Sequence, residues 1–191
     1  MASLDRPIVA FANQRAWEAW LGRHHATSPG VWLRLAKKAS GHASVSYLEA
    51  VEGALCYGWI DGQKRPFDAA WWLQKFTPRR SQSIWSKINR TKALRLIRAG
   101  RMKPAGVREV HGAKRDGRWV SAYDSQRTMR MPPDLRAALS KNATAKAFFK
   151  ELSAANRYAI LWRVHDAKRP ETRARRIAEF VGMLRRHEKL H

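Results

Sequence analysis

The chain has 191 residues, which is enough for one good hydrophobic core or for one domain with a helical appendage. Hydrophobic residues make up 45% of it, which excludes wholesale disorder, and 38 Lys and Arg against 15 Asp and Glu give a net charge of +23. Such an excess of cations destabilises a compact fold by self-repulsion, so it favours a polyanionic partner. A genome-wide bias toward Arg is the simpler alternative.

Cysteine content and hydropathy bear on the compartment. Cys56 is the single cysteine, so no intrachain disulfide can form, and its apolar neighbours predict a buried, inert thiol. No apolar run approaches the ~18 residues that span a bilayer, and residues 1–12 lack the apolar core of a signal peptide. These features predict a cytoplasmic protein without a transmembrane segment.

Helix and strand signals alternate in the first half of the chain. Asn13 is a helix cap, and residues 31–35 alternate in polarity as a strand does. Ser46 and Glu49 form a capping box that opens a helix, which Gly58 should end. A second extended stretch, residues 59–62, includes an Asp-Gly turn, and a third covers residues 71–76.

Helices are predicted from about residue 83 onward, and everything beyond residue 133 is predicted to be helical. A long helix should run from about Ser83 to Ala99, with a stripe of Ile84, Ile88, Thr91, Leu94 and Ile97. Residues 119–133 lack apolar periodicity and predict a linker. The predicted fold class is α+β: an N-terminal α+β domain over residues 1–125, with a small antiparallel sheet and flanking helices, followed by an all-helical domain over residues 133–191.

Basic, hydroxyl and aromatic residues concentrate between residues 75 and 90. Ten cations lie between Lys75 and Lys103 with no acid among them, so an external anion is the expected source of charge relief. A helix N-terminus within this stretch would add attraction for phosphate. The bland alternative is that serines cap the helix, Trp85 packs and the arginines are solvated. The candidate nucleic-acid or anion-binding residues are Lys75, Arg79, Arg80, Ser83, Trp85, Ser86, Lys87, Asn89 and Arg90.

A possible pocket combines Trp59 and Asp61 with Asn156 and Arg157. In this hypothesis Asp61 orients neighbouring arginines, and Trp59 or Trp85 offers a stacking face for a base.

Residues 187–191 spell H-E-x-x-H, the zinc-binding pattern of metalloproteases. The second histidine, His191, is the last residue of the sequence given, and no third ligand follows it, so we predict no zinc. We identify no catalytic residue, no metal site and no cofactor.

Several of these motifs together resemble the YdeI/OmpD-associated family, also called bacteriocin-protection proteins. The resemblance covers nearly the whole chain and rests on Gly30–Leu33, Ala54–Gly62, Phe76–Arg80, Ser83–Asn89, Gly100–Met102, Ala154–Arg157 and Ala167–Ile177. It implies an α+β N-terminal domain and a helical C-terminal domain. It implies little chemistry, because the family is named for stress phenotypes and a porin association.

Three functions remain open. The leading hypothesis is a basic bacterial protein that binds nucleic acid, DNA or RNA, with weak sequence specificity. The alternative is an envelope-stress or bacteriocin-protection protein that binds anionic envelope components or a partner protein. The third is an enzyme acting on a small acidic or phosphorylated substrate.

Overall fold

The computed structural model describes residues 4–190 and divides the chain into two compact units, Met1–Ala122 and Tyr123–His191. The first unit contains a four-stranded sheet and four helices, and the second contains helices alone among its described residues. The predicted α+β class is confirmed.

The elements of the first unit follow in chain order. The strands are β1 (Ile8–Ala10), β2 (Val31–Ala36), β3 (Trp59–Pro66) and β4 (Trp71–Pro78). The helices are α1 (Gln14–His24), α2 (Tyr47–Cys56), α3 (Lys87–Arg98) and α4 (Pro104–Arg115), with a short 3-10 turn at Lys38–Ser40. The second unit consists of α5 (Pro133–Ser140), α6 (Ala143–Glu151), α7 (Ala154–Asp166) and α8 (Pro170–Arg185).

The sheet order is β1-β2-β4-β3. The β2–β4 and β4–β3 pairs are antiparallel, whereas β1 pairs in parallel with β2, so the sheet is mixed. The three-residue β1 was not predicted, because so short a strand carries no periodicity of its own.

Local caps explain most helix starts. The Asn13 side chain accepts a hydrogen bond from Ala16 N–H, and Ser46 and Glu49 form the predicted capping box at α2. Gly58 follows α2 with φ of 76°, a backbone conformation that favours glycine. Gly106 contacts the α2 end so closely that a Cβ there would lie 2.5 Å from the Cys56 carbonyl oxygen.

The predicted Asp-Gly turn is wrong. β3 continues through Gly62 with a bulge between Asp61 and Lys64, and the chain reverses at residues 67–70 instead. The buried Gln74 amide donates to the carbonyl oxygens of Gly62 and Gln63, at 2.8 and 3.2 Å, which satisfies the bulge.

The predicted apolar stripe of α3 is also wrong. Steps of three residues rotate 300° around a helix, so each step drifts by about 60° and residues 88 and 97 reach opposite sides. Ile88 and Ile97 are 49% and 38% exposed, and the buried face carries Ala93 and Leu96. Leu48 on α2 is exposed as well.

Each unit has its own core. The first unit's helices pack on one face of the sheet, where Trp17 and Leu55 join Val31, Leu33 and Phe76 in a single cluster. The second unit encloses a cluster around Leu135, Phe149, Ile160, Phe180 and Leu184. Within residues 4–190, no helix combines the length and apolar character needed to cross a bilayer.

Cys56 is buried, as predicted, and burial raises the pKa of its thiol to about 11. Alkylation of the native protein at pH ~8 should therefore be more than about a hundredfold slower than in denaturant, where a free thiol has a pKa of ~8.5. The raised pKa favours the folded state below pH ~8.5, and this contribution is lost as the pH rises toward 11. Stopped-flow thiol labelling measures the rates; a native rate within about tenfold of the denatured one would contradict the buried thiol.

Candidate functional site

Two central residues of the predicted binding stretch, Arg79 and Trp85, lie in the interior of the first unit. The Arg79 guanidinium lies 3.8 Å from the centre of the Trp85 ring, and its Nη1 donates to the Ile84 carbonyl oxygen at 3.3 Å. Trp85 is 1% exposed and packs edge-on against Trp119 at 5.0 Å. The stacking role predicted for Trp85 therefore does not hold in this structure.

Two further arginines connect this loop and the first turn of α3 to the segment that follows α4. Arg118 Nη1 donates to the Ser83 carbonyl oxygen at 2.8 Å, and Arg90 Nη1 donates to the Trp119 carbonyl oxygen at 3.1 Å. Asp116 in turn accepts from the Arg118 guanidinium. The stretch from Arg79 to Arg90 thus holds the loop between β4 and α3 in place.

The predicted serine caps shift by one turn. α3 begins at Lys87, and Ser86 caps it by accepting from Asn89 N–H at 3.1 Å. Ser83 instead accepts from Arg80 N–H at 2.9 Å within the loop. The backbone at Trp85 is not helical, because its ring fills the space beside Trp119. Of the predicted cations in this loop and first turn, Arg80 and Lys87 have exposed side chains.

Charge relief for the basic stretch comes partly from distant acids. Arg101 binds Glu18 at 2.9 Å and Glu52 at 3.2 Å, and Arg95 also pairs with Glu52. Lys75 binds Asp5 at 2.5 Å. Part of the charge relief that was expected from an external anion therefore comes from acids 43 to 83 residues away in sequence.

The two halves of the predicted pocket lie in different units. Trp59 is 1% exposed and donates its indole N–H to the His25 carbonyl oxygen, so it offers no stacking face. Asp61 accepts a hydrogen bond from the Tyr47 hydroxyl at 2.8 Å. In the second unit, Asn156 bonds to the α7 cap Ser153, and Arg157 donates to the Lys150 carbonyl oxygen.

The sheet face turned away from the helices brings together residues that the sequence analysis did not combine. Paired residues in neighbouring strands lie on the same face, and alternate residues along a strand share a face. Trp32 pairs with Lys75, and Arg34 and Arg65 both pair with Leu73. We call the outer sheet face the surface made by Trp32, Arg34, Arg65, Trp71, Leu73 and Lys75.

Cations cover both tryptophans of the outer sheet face. The Arg65 guanidinium lies 5.2 Å and the Lys75 ammonium 5.6 Å from the Trp32 ring centre. The Arg34 guanidinium lies 4.6 Å from the ring of the half-buried Trp71. Trp32 and Leu73 are buried but do not belong to the core cluster of this unit. The face therefore alternates aromatic rings with positive charges, each within cation–π distance.

Two more side chains contact this surface. The His42 ring lies nearly parallel to the Trp71 ring, at 5.1 Å with an interplanar angle of 16°. Asp5 accepts hydrogen bonds from Lys75 Nζ at 2.5 Å and from Trp32 Nε1 at 3.2 Å. The hydrogen bond from Lys75 lowers the pKa of the Asp5 carboxyl. The Asp5 carboxylate thus occupies the position between the Lys75 ammonium and the Trp32 indole N–H.

A sequence signal for this face did exist. Both 31–35 and 71–76 were predicted as extended stretches, and because alternate side chains of a strand share a face, Trp32 and Arg34 lie on one side of β2 and Trp71, Leu73 and Lys75 on one side of β4. Joining the two sides required the register between strands separated by a helix and a third strand. Of the predicted residues, Lys75 alone belongs to the outer sheet face.

The H-E-x-x-H segment does not form a zinc-binding helix. α8 ends at Arg185, His187 has a φ of 58°, and Glu188 pairs with Arg186 at 2.9 Å. His191 lies outside the described residues. Within residues 4–190, no three His, Cys, Asp or Glu side chains are grouped so as to hold a metal ion.

Sequence comparisons identify both parts of the chain. No curated protein and no solved structure matches it. The model of the family described as "Domain of unknown function (DUF8412)" matches residues 9–109, more than half of the chain. The model described as "Bacteriocin-protection, YdeI or OmpD-Associated" matches residues 128–187, which confirms the resemblance over those residues. The chain therefore belongs to the DUF8412 family, and its residues 128–187 match the model of the YdeI/OmpD-associated family.

Proposed function

We propose that this protein binds nucleic acid through its outer sheet face, with weak sequence specificity. The observation that carries the proposal is that the half-buried Trp71 lies on the same face of the sheet as Arg34, Arg65 and Lys75. Cations attract the phosphate backbone, and the accessible part of the Trp71 ring can stack on a base, whereas the buried Trp32 offers no stacking face. Neither contact depends strongly on base identity, which accounts for the weak specificity.

The geometry at Trp71 favours single strands. A base in a duplex is already stacked on its neighbours, whereas a single-stranded base can lie on an aromatic side chain of a sheet. The parallel His42 ring shows that the Trp71 face accepts a flat heterocycle at stacking distance. His42 is an exposed residue outside the strands, so a base can displace it without disturbing the sheet.

Charge supports the same proposal at two ranges. The net charge of +23 draws a polyanion toward the protein as a whole. At contact distance, three cationic side chains, those of Arg34, Arg65 and Lys75, can donate to phosphate oxygens. The Asp5 carboxylate accepts from Lys75 in the free protein, in the position that a phosphate oxygen would take. Nucleic-acid binding also implies the cytoplasm, where a reduced Cys56 is stable.

Replacing Trp71 tests the stacking contact. Trp71→Ala should weaken the binding of a fluorescent oligothymidylate by roughly 5- to 100-fold, since one base–aromatic stack is worth about 1–3 kcal/mol. Trp71→Phe should recover most of the loss because a phenyl ring still stacks. Fluorescence anisotropy at fixed salt measures both affinities. Unchanged binding by Trp71→Ala, with an intact circular-dichroism spectrum, would remove Trp71 from the interface.

The description of the second family favours a second candidate, a bacteriocin-protection protein that binds a partner protein or anionic envelope components. Flotation with vesicles of anionic lipid separates it from the first. Vesicle binding that persists in Trp71→Ala, together with oligonucleotide binding too weak to measure in the wild type, would place this candidate ahead.

A further inference from the structure

An apolar groove lies between α5 and α8, within the second unit. It encloses about 710 Å³. Its floor consists of small and aliphatic side chains: Ala138 on α5, and Ala174, Ile177, Ala178, Val181 and Gly182 on α8. We call it the α5–α8 groove. The nucleic-acid proposal does not use it, because a phosphate backbone gains nothing from an aliphatic floor.

The shape of the groove suits a helix. Ala174, Ala178 and Gly182 follow one another at four-residue intervals, so they form a straight row along α8. With a rise of 1.5 Å per residue, this row is about 12 Å long, or a little over two helical turns. Small residues let a second helix approach closely, and Ile177 and Val181 beside the row supply ridges for its side chains.

The charges at the edge of the groove favour a negatively charged occupant. Its acid, Asp134, is bound by Arg173 at 2.5 and 3.0 Å and is therefore neutralised. Lys141 at the end of α5 and Arg185 at the end of α8 are exposed, and neither side chain has a hydrogen bond or ion pair within residues 4–190. The groove also meets the N-terminus of α6, whose first turn contains no acid.

We infer that the α5–α8 groove docks an amphipathic helix of a partner protein, with acidic residues flanking its apolar stripe. Aliphatic side chains of that helix fill the floor, and its carboxylates bind Lys141, Arg185 and the α6 N-terminus. A second copy of this chain does not fit, because its net charge of +23 repels the same cations.

The test uses the full-length protein and two synthetic peptides of about 16 residues, roughly four helical turns. The first has a Leu and Ala stripe flanked by Glu; the second has the same composition, scrambled to abolish the stripe. Fluorescence anisotropy at ~150 mM salt measures binding, because long-range attraction is largely screened there. The amphipathic peptide should bind at least about tenfold more tightly than the scrambled one.

Substitutions then assign the site. Ala178→Arg fills the groove and should weaken binding of the amphipathic peptide at least about tenfold. Ala147→Arg, the same change at an exposed site on α6 outside the groove, should leave it within about twofold. Lys141→Ala with Arg185→Ala should weaken binding and reduce its salt dependence.

Equal binding of the two peptides, or equal binding by Ala178→Arg and the wild type, would overturn the inference. Oligonucleotide binding by Ala178→Arg should persist, so this result is independent of the proposed function.

Discussion

Replacing Arg34, Arg65 and Lys75 together by alanine should lower the affinity for a single-stranded oligonucleotide about a hundredfold at ~50 mM salt. Each cation that neutralises a phosphate of a single strand contributes about 0.7 to the slope of log affinity against log salt concentration, so the slope should flatten by about two units. A salt titration followed by fluorescence anisotropy measures both quantities. The circular-dichroism spectrum should be unchanged, because these side chains lie on the sheet face opposite the core of this unit.

A charge-matched variant separates local contact from bulk attraction. Arg98, Arg108 and Arg115 are exposed on or at the ends of α3 and α4, so replacing all three by alanine removes the same charge from the helical layer. This control should weaken binding only a few-fold. Equal losses in the two triple variants would mean that net charge, and not the outer sheet face, governs binding.

Alanine substitution of two adjacent arginines, Arg79 and Arg80, should affect stability to very different extents. Arg79→Ala should lower the free energy of unfolding by roughly 2–4 kcal/mol, since it removes a desolvated cation–π contact with Trp85 and a hydrogen bond to Ile84. Arg80→Ala should change it by less than about 0.5 kcal/mol, because Arg80 is exposed. Urea unfolding monitored by tryptophan fluorescence gives both values.

The same pair tests the sequence-based interpretation of the basic stretch. If Arg79→Ala retained full stability but lost nucleic-acid affinity, the stretch from Lys75 to Arg90 would be the binding surface after all. The structure instead makes Arg79 part of the support for Trp85 and Trp119.

Features that depend on neighbouring residues could be predicted from the sequence. Asn13, Ser46 and Ser153 each cap a helix by a bond to a backbone N–H three residues ahead, so the signal and the structure share one short segment. Pro133 and Pro170 open α5 and α8 for an equally local reason, since proline fits the first helical turn.

Features that depend on distant residues could not. Lys75 finds Asp5 across 70 positions and Arg101 finds Glu18 across 83, so no window of sequence shows that these cations have partners. The start of α3 was misplaced because burial of Trp85 beside Trp119 outweighed the capping potential of Ser83. Tertiary packing decided between two serines that are locally equivalent.

The outer sheet face lies between these cases. The sequence indicated which side chains share a face within β2 and within β4. The pairing of Trp32 with Lys75, however, depends on the register between the strands, and a shift of one residue would have turned Lys75 toward the core. Sequence reasoning therefore located the basic region of the first unit and named one cation of the outer sheet face.

The most direct test of that surface follows the indole N–H resonances of the nine tryptophans by nuclear magnetic resonance while an oligothymidylate is added. Single Trp→Phe variants assign the resonances. We predict that the Trp71 resonance shifts because its ring contacts a base, and that the Trp32 resonance shifts because phosphate competes with Asp5, which accepts from Trp32 Nε1, for Lys75. Both shifts should reach saturation together, whereas the core residues Trp17, Trp59 and Trp85 keep their positions. Saturable shifts confined to other tryptophans, with Trp32 and Trp71 unmoved, would contradict this prediction.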